Sequence, residues 1–105
     1  MKITYDNNDR TIYLELTEEI DHHEAEKIKQ RTDYEIQDKL PKKLIVDFKN
    51  VNFMDSAGIG LIIGRYKMIK MHGGDIYMVN VKKNVAKIFE MSGVLKIIPI
   101  IEGGY

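Results

Sequence analysis

Past residue 20 the sequence switches repeatedly between helical and strand periodicity, and this alternation restricts the fold more than any other feature. Ala25, Ile28, Thr32, Ile36 and Leu40 recur at gaps of three and four among many charges until Pro41, which predicts a surface helix stopped by a proline. Leu44-Ile45-Val46 with Phe48 follows, and its unbroken apolar run reads as a central strand covered on both faces. Ile59, Ile62, Ile63, Tyr66 and Ile69 then predict a second helix reaching about Met71, ended by His72-Gly73-Gly74. Ile76-Tyr77-Met78-Val79 reads as another buried strand. Lys83 or Asn84 opens a short helix with Val85, Ile88 and Phe89 inward and Gly93 at its close. Lys96 to Ile101 is the last predicted strand, placed at or near a sheet edge by Pro99.

Ahead of this series, Ile3 and Tyr5, then Ile12, Leu14 and Leu16, alternate with polar residues on either side of Asn7-Asn8-Asp9, the pattern of a hairpin. A hairpin followed by three helix-strand units calls for right-handed crossovers. The expected fold is α/β: one domain over residues 1–105, with a mainly parallel mixed sheet, an N-terminal hairpin and three helices packed on it. A chain of 105 residues has room for one such core and not for two.

In sheets of this kind, functional groups collect in the loops beyond the C-terminal ends of the strands. Two loops of that sort open helices here. Asp21-His22-His23-Glu24 has the spacing of a capping box. Asp55-Ser56-Ala57-Gly58 stands between a strand and a helix, where Ser56 is expected to cap the helix start and where the free N–H groups and the helix dipole tolerate an anion, a phosphate on Ser56 included. Asp21 and Ser56 are therefore expected to be neighbours in space.

Composition removes several chemistries. Sixteen basic residues balance sixteen acidic ones, so the overall field steers the chain neither to nucleic acid nor to an acidic membrane. The chain has no cysteine, which excludes disulfides, thiol catalysis and thiolate metal sites. An N-terminus without an apolar core, and no apolar run of roughly 18 to 20 residues, give a cytoplasmic protein as the expectation. Met54 stands where the G-x-S-x-G nucleophile elbow needs glycine, and His72 lies about 24 Å along the same helix at 1.5 Å per residue, so a hydrolytic triad is not built.

Gly58-x-Gly60 with Gly64 resembles a dinucleotide loop, but the third glycine is one position late and no acidic residue ends the next strand. A nucleotide-binding α/β protein is the rival reading. Gly60 and Gly64 share a helix face and are more economically read as allowing another backbone to approach, from the sheet or from a partner. His22 and His23 point about 100° apart on a helix and do not chelate one ion; no metal or cofactor is expected. Met68, Met71 and Met91 read as core filler. Lys39, Lys42, Lys43, Lys82, Lys83 and Lys87 read as solvated faces.

Taken together, Glu19-Ile20-Asp21-His22-His23, Phe53-Met54-Asp55-Ser56-Ala57-Gly58-Ile59-Gly60, Gly64-Arg65-Tyr66-Lys67 and Met91-Ser92-Gly93 resemble the anti-sigma factor antagonists of the STAS domain family, most of all the sporulation antagonists that oppose the anti-sigma-F factor. The likeness spans roughly Tyr13 to Ile98. It implies a non-enzymatic protein that, unphosphorylated, binds an anti-sigma factor and frees the sigma factor. That anti-sigma factor is also a serine kinase; it phosphorylates Ser56 and so releases the antagonist, and a serine phosphatase restores it. The docking surface that the resemblance implies comprises Asp21, His22, Asp55, Ser56, Ala57 and Gly58. A STAS module of a stress-signalling assembly would use the same serine with another kinase. Relatives of this kind continue into a further C-terminal helix where this chain has Glu102-Gly103-Gly104-Tyr105, which leaves the surface beneath it exposed as an expectation.

Overall fold

The computed structural model describes residues 1–101, so Glu102 to Tyr105 lie outside the described residues. The elements run β1 (Lys2–Asp6), β2 (Thr11–Glu15), β3 (Glu19–Ile20), α1 (His22–Lys39), β4 (Lys43–Asp47), β5 (Phe53–Met54), α2 (Ser56–Met71), β6 (Asp75–Val79), α3 (Lys83–Ser92), a 3-10 turn (Val94–Lys96) and β7 (Ile100–Ile101). The main sheet has the order β1-β2-β4-β6-β7. Its β1–β2 pair is antiparallel and the other pairs are parallel, the mixed sheet that the alternation predicts.

β4 is central and buried from Leu44 to Asp47. Leu44 and Val46 belong to the main hydrophobic core, with Ile12, Leu14, Ile28, Ile62, Ile76 and Phe89 among its other members. Ile45 points the opposite way and is still fully buried, because Tyr13 and Tyr77 lie directly across from it on the neighbouring strands. Phe48 and Phe89 pack edge to face at 5.4 Å and join the strand layer to α3.

The helix ends follow local rules. Asp21 caps α1, its Oδ1 accepting a hydrogen bond from the Glu24 amide at 2.8 Å. Leu40 closes α1 in the left-handed region and is half exposed, so the buried stripe ends at Ile36. Gly73, at φ 78°, takes the chain out of α2 as only glycine does readily.

Three expectations change. Residues 96–101 do not form one strand: the Val94–Lys96 turn comes first, Pro99 withholds a ladder donor, and only Ile100–Ile101 pair with β6, at the sheet edge. The buried face of α2 is Gly58, Leu61, Ile62, Arg65 and Ile69, while Ile59, Ile63 and Tyr66 are half-buried. This helix packs on α1 as well as on β6, and the second neighbour turns the buried stripe toward Leu61 and Arg65. Met71 and Met91 are about four-fifths exposed and fill no core, unlike Met54 and Met78. No helix among the described residues is long and apolar enough to cross a membrane.

Candidate functional site

β3 and β5 are two residues each and form a separate parallel pair, Glu19 opposite Phe53 and Ile20 opposite Met54. The Asn52 amide donates to the Glu18 carbonyl at 2.8 Å and the Asp55 amide to the Ile20 carbonyl at 3.4 Å, which continues the ribbon at both ends. Because each strand runs straight into a helix, this ribbon sets the N-termini of α1 and α2 side by side. Asp21 and Ser56, 35 positions apart in sequence, are thus brought together.

Ser56 does not cap α2. Asp55 holds that position in extended conformation (φ −105°, ψ −168°), and its Oδ1 accepts a hydrogen bond from the Ala57 amide at 2.8 Å. Ser56 is the first helical residue, is exposed, and its hydroxyl makes no hydrogen bond among the described residues. The other serine, Ser92, donates to the Phe89 carbonyl at 2.8 Å, and Thr17 donates to the Glu19 carbonyl at 3.4 Å.

Asp21, His22, Asp55 and Ser56 are exposed, Ala57 is half-buried, and Gly58 is buried beneath them. Gly58 has a steric reason to be glycine: a Cβ there would stand 2.2 Å from Met54 Cγ and 2.3 Å from its Sδ. Gly60 and Gly64 have none, since a Cβ on either meets nothing within 4 Å. No other backbone of this chain, among the described residues, approaches either one; they leave open a cleft between α1 and α2, whose near end is lined by His22 and Ala57. Gly58 and Gly60 both lie inside α2, so they do not form the turn ahead of a helix that a dinucleotide loop requires.

The neutral composition conceals a locally acidic surface. Glu18, Glu19, Asp21 and Glu24 surround a shallow depression with Thr17, and Asp55 stands beside it at the head of α2. Lys82 Nζ donates to Asn52 Oδ1, and the Asn52 backbone amide in turn donates to the Glu18 carbonyl. Asn84 Nδ2 donates to the Asn52 carbonyl at 3.0 Å, so the start of α3 braces the loop ahead of β5. Asp47, buried at the end of β4, accepts from the Lys49 amide at 2.9 Å and from Asn80 Nδ2 at 3.1 Å and fixes the same loop from within.

Sequence reasoning named Phe53 only as part of a matched motif and did not foresee that it is 55% exposed on the ribbon, two residues before Asp55. It also passed over the ion pair of Arg65 Nε with Asp33 Oδ1 at 2.8 Å, which ties α2 to α1. The signal for Phe53 was its place in a segment too short to show which side is inward. Arg65 carried no signal of burial, because arginine is mostly a surface residue.

Comparison with known proteins bears on the fold and the family. The STAS domain family model matches residues 2–103. An anti-sigma F factor antagonist of Paenibacillus polymyxa is 34% identical over 100 residues, covering 95% of this chain and 86% of that protein. The anti-sigma factor antagonist SpoIIAA in its unphosphorylated form superposes with a TM-score of 0.82 at 27% identity, covering 97% of this chain and 88% of the other. The Bacillus cell fate determinant SpoIIAA in the phosphorylated form superposes at 0.77 and 25% identity, covering 97% and 89%. A hairpin followed by three helix-strand units, two helix starts joined by a short parallel ribbon, and a family match over nearly the whole length lead to one assignment: the chain belongs to the STAS domain family.

Proposed function

We propose that this chain is an anti-sigma factor antagonist, a non-enzymatic binding protein of the cytoplasm whose affinity for an anti-sigma factor kinase is set by phosphorylation of Ser56. The observation that carries the reading is a free, exposed hydroxyl at the first position of α2, beside the two capping carboxylates of Asp21 and Asp55. Asp21, His22, Asp55, Ser56, Ala57 and Gly58 form the docking surface in this reading. The relatives named above as anti-sigma factor antagonists, one of them described in phosphorylated and unphosphorylated forms, support it. A serine phosphatase closes the cycle.

The energetics favour a switch that leaves the fold in place. A phosphoserine adds about 1.5 to 2 negative charges. The α2 dipole returns about 0.3 to 1 kcal/mol. Against it, each nearby carboxylate opposes the phosphate by about 1 kcal/mol in water, and by about 4 kcal/mol near a protein surface where the effective dielectric is lower. On the free chain water screens the exposed carboxylates, so the repulsion stays near the lower figure and the dipole offsets part of it. At a docked interface the phosphate must be desolvated beside Asp55 and Asp21, and a thousandfold loss of affinity needs only about 4 kcal/mol.

The test is to incubate the protein with ATP and a purified anti-sigma F factor, map the phosphate by mass spectrometry, and compare binding of the native and Ser56→Ala proteins. Ser56→Ala binds and is not phosphorylated. A phosphate found on Thr17 or Ser92 sinks the assignment. Amide shifts on phosphorylation stay at the start of α2 and in the Asp21 loop; shifts reaching β6 would make the switch conformational.

A further inference from the structure

The cleft between α1 and α2 has a volume of about 300 Å³ and begins at His22 and Ala57, inside the docking surface. That volume is at the lower end of the range for ligand clefts and leaves ample room for a side chain. Ala25 and Leu61 line it, Gly60 and Gly64 leave it open on the α2 side, and Glu26, Lys29 and Arg65 supply its charges.

Arg65 is the unusual member. It is 5% exposed, and its Nη1 has no hydrogen-bond partner among the described residues. Its Nε lies 2.8 Å from Asp33 Oδ1, at ion-pair distance but without hydrogen-bonding alignment. The other oxygen of Asp33 is 3.7 Å from Lys29 Nζ, so one carboxylate faces two cations. Glu26 opposes them from the cleft lining; it and Lys29 are both exposed and screened by solvent, which leaves the buried Arg65 as the dominant charge of the cleft wall. Burial pushes the Arg65 guanidinium below its ordinary range, against the opposing pull of Asp33 and then of Glu26. A guanidinium buried at the cleft wall in this way adds positive potential to the cleft, which favours a carboxylate as its occupant.

We infer that this cleft receives an acidic side chain of the docked anti-sigma partner, with Arg65 as its counter-charge and Gly60 and Gly64 providing the space. The inference rests on the docking surface proposed above and extends it from the helix starts along the α1–α2 seam. Partner specificity then resides in a second contact that phosphorylation of Ser56 does not touch.

The test measures binding of an anti-sigma F factor to the full chain carrying Gly64→Leu, Lys29→Gln or Glu26→Gln, with thermal unfolding of each variant alongside. Gly64→Leu fills the cleft where the structure has open space, so its melting temperature does not fall while its affinity drops tenfold or more. Lys29→Gln weakens binding several-fold and Glu26→Gln tightens it. Native affinity in a folded Gly64→Leu protein overturns the inference. So does the opposite order of the two charge variants, which would mean a basic occupant, or no effect from either, which would mean an apolar one. Binding of the unmodified native chain and its loss on Ser56 phosphorylation report on the docking surface alone. If the native chain does not bind, both readings fall; if it binds and switches while Gly64→Leu is silent, only this one does.

Discussion

Replacing Asp55 by alanine should cost far more stability than replacing Ser56, although the two are adjacent and either residue type caps helices well. Asp55 is the residue in extended conformation, and its Oδ1 accepts the Ala57 N–H at 2.8 Å. Losing such a cap costs about 1 kcal/mol, within a range of about 0.5 to 2. Losing the carboxylate charge at the positive end of a helix of 16 residues adds about 0.3 to 1 kcal/mol at low salt. The sum for Asp55→Ala is about 1 to 2 kcal/mol. At about 4 to 8 °C per kcal/mol for a domain near 100 residues, the melting temperature falls by roughly 5 to 15 °C. Asp55→Asn keeps the acceptor and loses only the charge, so it falls between Asp55→Ala and the native protein, and high salt closes its gap to native. Ser56→Ala removes an exposed hydroxyl without a partner and stays within about 0.5 kcal/mol of native. Urea and thermal unfolding of the four proteins at low and high salt read all of this. The reasoning fails if Ser56→Ala loses as much as Asp55→Ala, because the serine would then be capping α2 and its modification would disturb the helix start itself.

Asp21→Asn keeps the acceptor for the Glu24 amide and loses only the charge at the start of α1, so it should cost no more than about 0.3 to 1 kcal/mol while weakening binding of an anti-sigma F factor; a larger fall in stability with native affinity would reduce Asp21 to a cap. Gly58→Ala should destabilise by about 1 to 3 kcal/mol through the clash with Met54, less about 0.5 to 1 kcal/mol regained from the helix backbone, and a Met54→Ala background should relieve the clash in a double-mutant cycle. Additive single effects would mean that the Met54 side chain simply moves aside. Phe89→Ala empties the fully buried edge-to-face partner of Phe48 and should cost about 3 to 5 kcal/mol by chemical denaturation, with a loss under about 1 kcal/mol contradicting the packing described.

Element type and order were legible in the residues because each long element repeats its pattern several times. The five-residue β4 and β6 announce burial through unbroken apolar runs, and α1 shows its stripe over four turns. Local chemistry fixed ends as well: Asp21 caps α1, and Gly93 ends α3 at φ 83°. The proximity of Asp21 and Ser56 followed from topology, since both were expected beyond strands of one parallel sheet. Their actual connection did not. β3 and β5 are two residues each, too short for alternation to register, and a parallel pair joins segments that no local pattern relates. The last strand shrank for a similar reason, because an apolar run containing Pro99 does not say how many of its residues reach the ladder.

What only the tertiary structure decided was the division of roles among residues that look alike in sequence. Asp55 and Ser56 are both good caps, and the path of the chain leaving β5 gave the cap to Asp55 and left the serine hydroxyl free. Gly58, Gly60 and Gly64 are three glycines on one helix; packing against Met54 explains the first, while the other two open onto the α1–α2 cleft. Arg65 reads as a surface cation and is buried against Asp33 because α2 has a helix on one side and the sheet on another. Periodicity records which residues avoid water, whereas capping, close approach and ion pairing depend on which atoms meet, and only the packing of distant segments determines that.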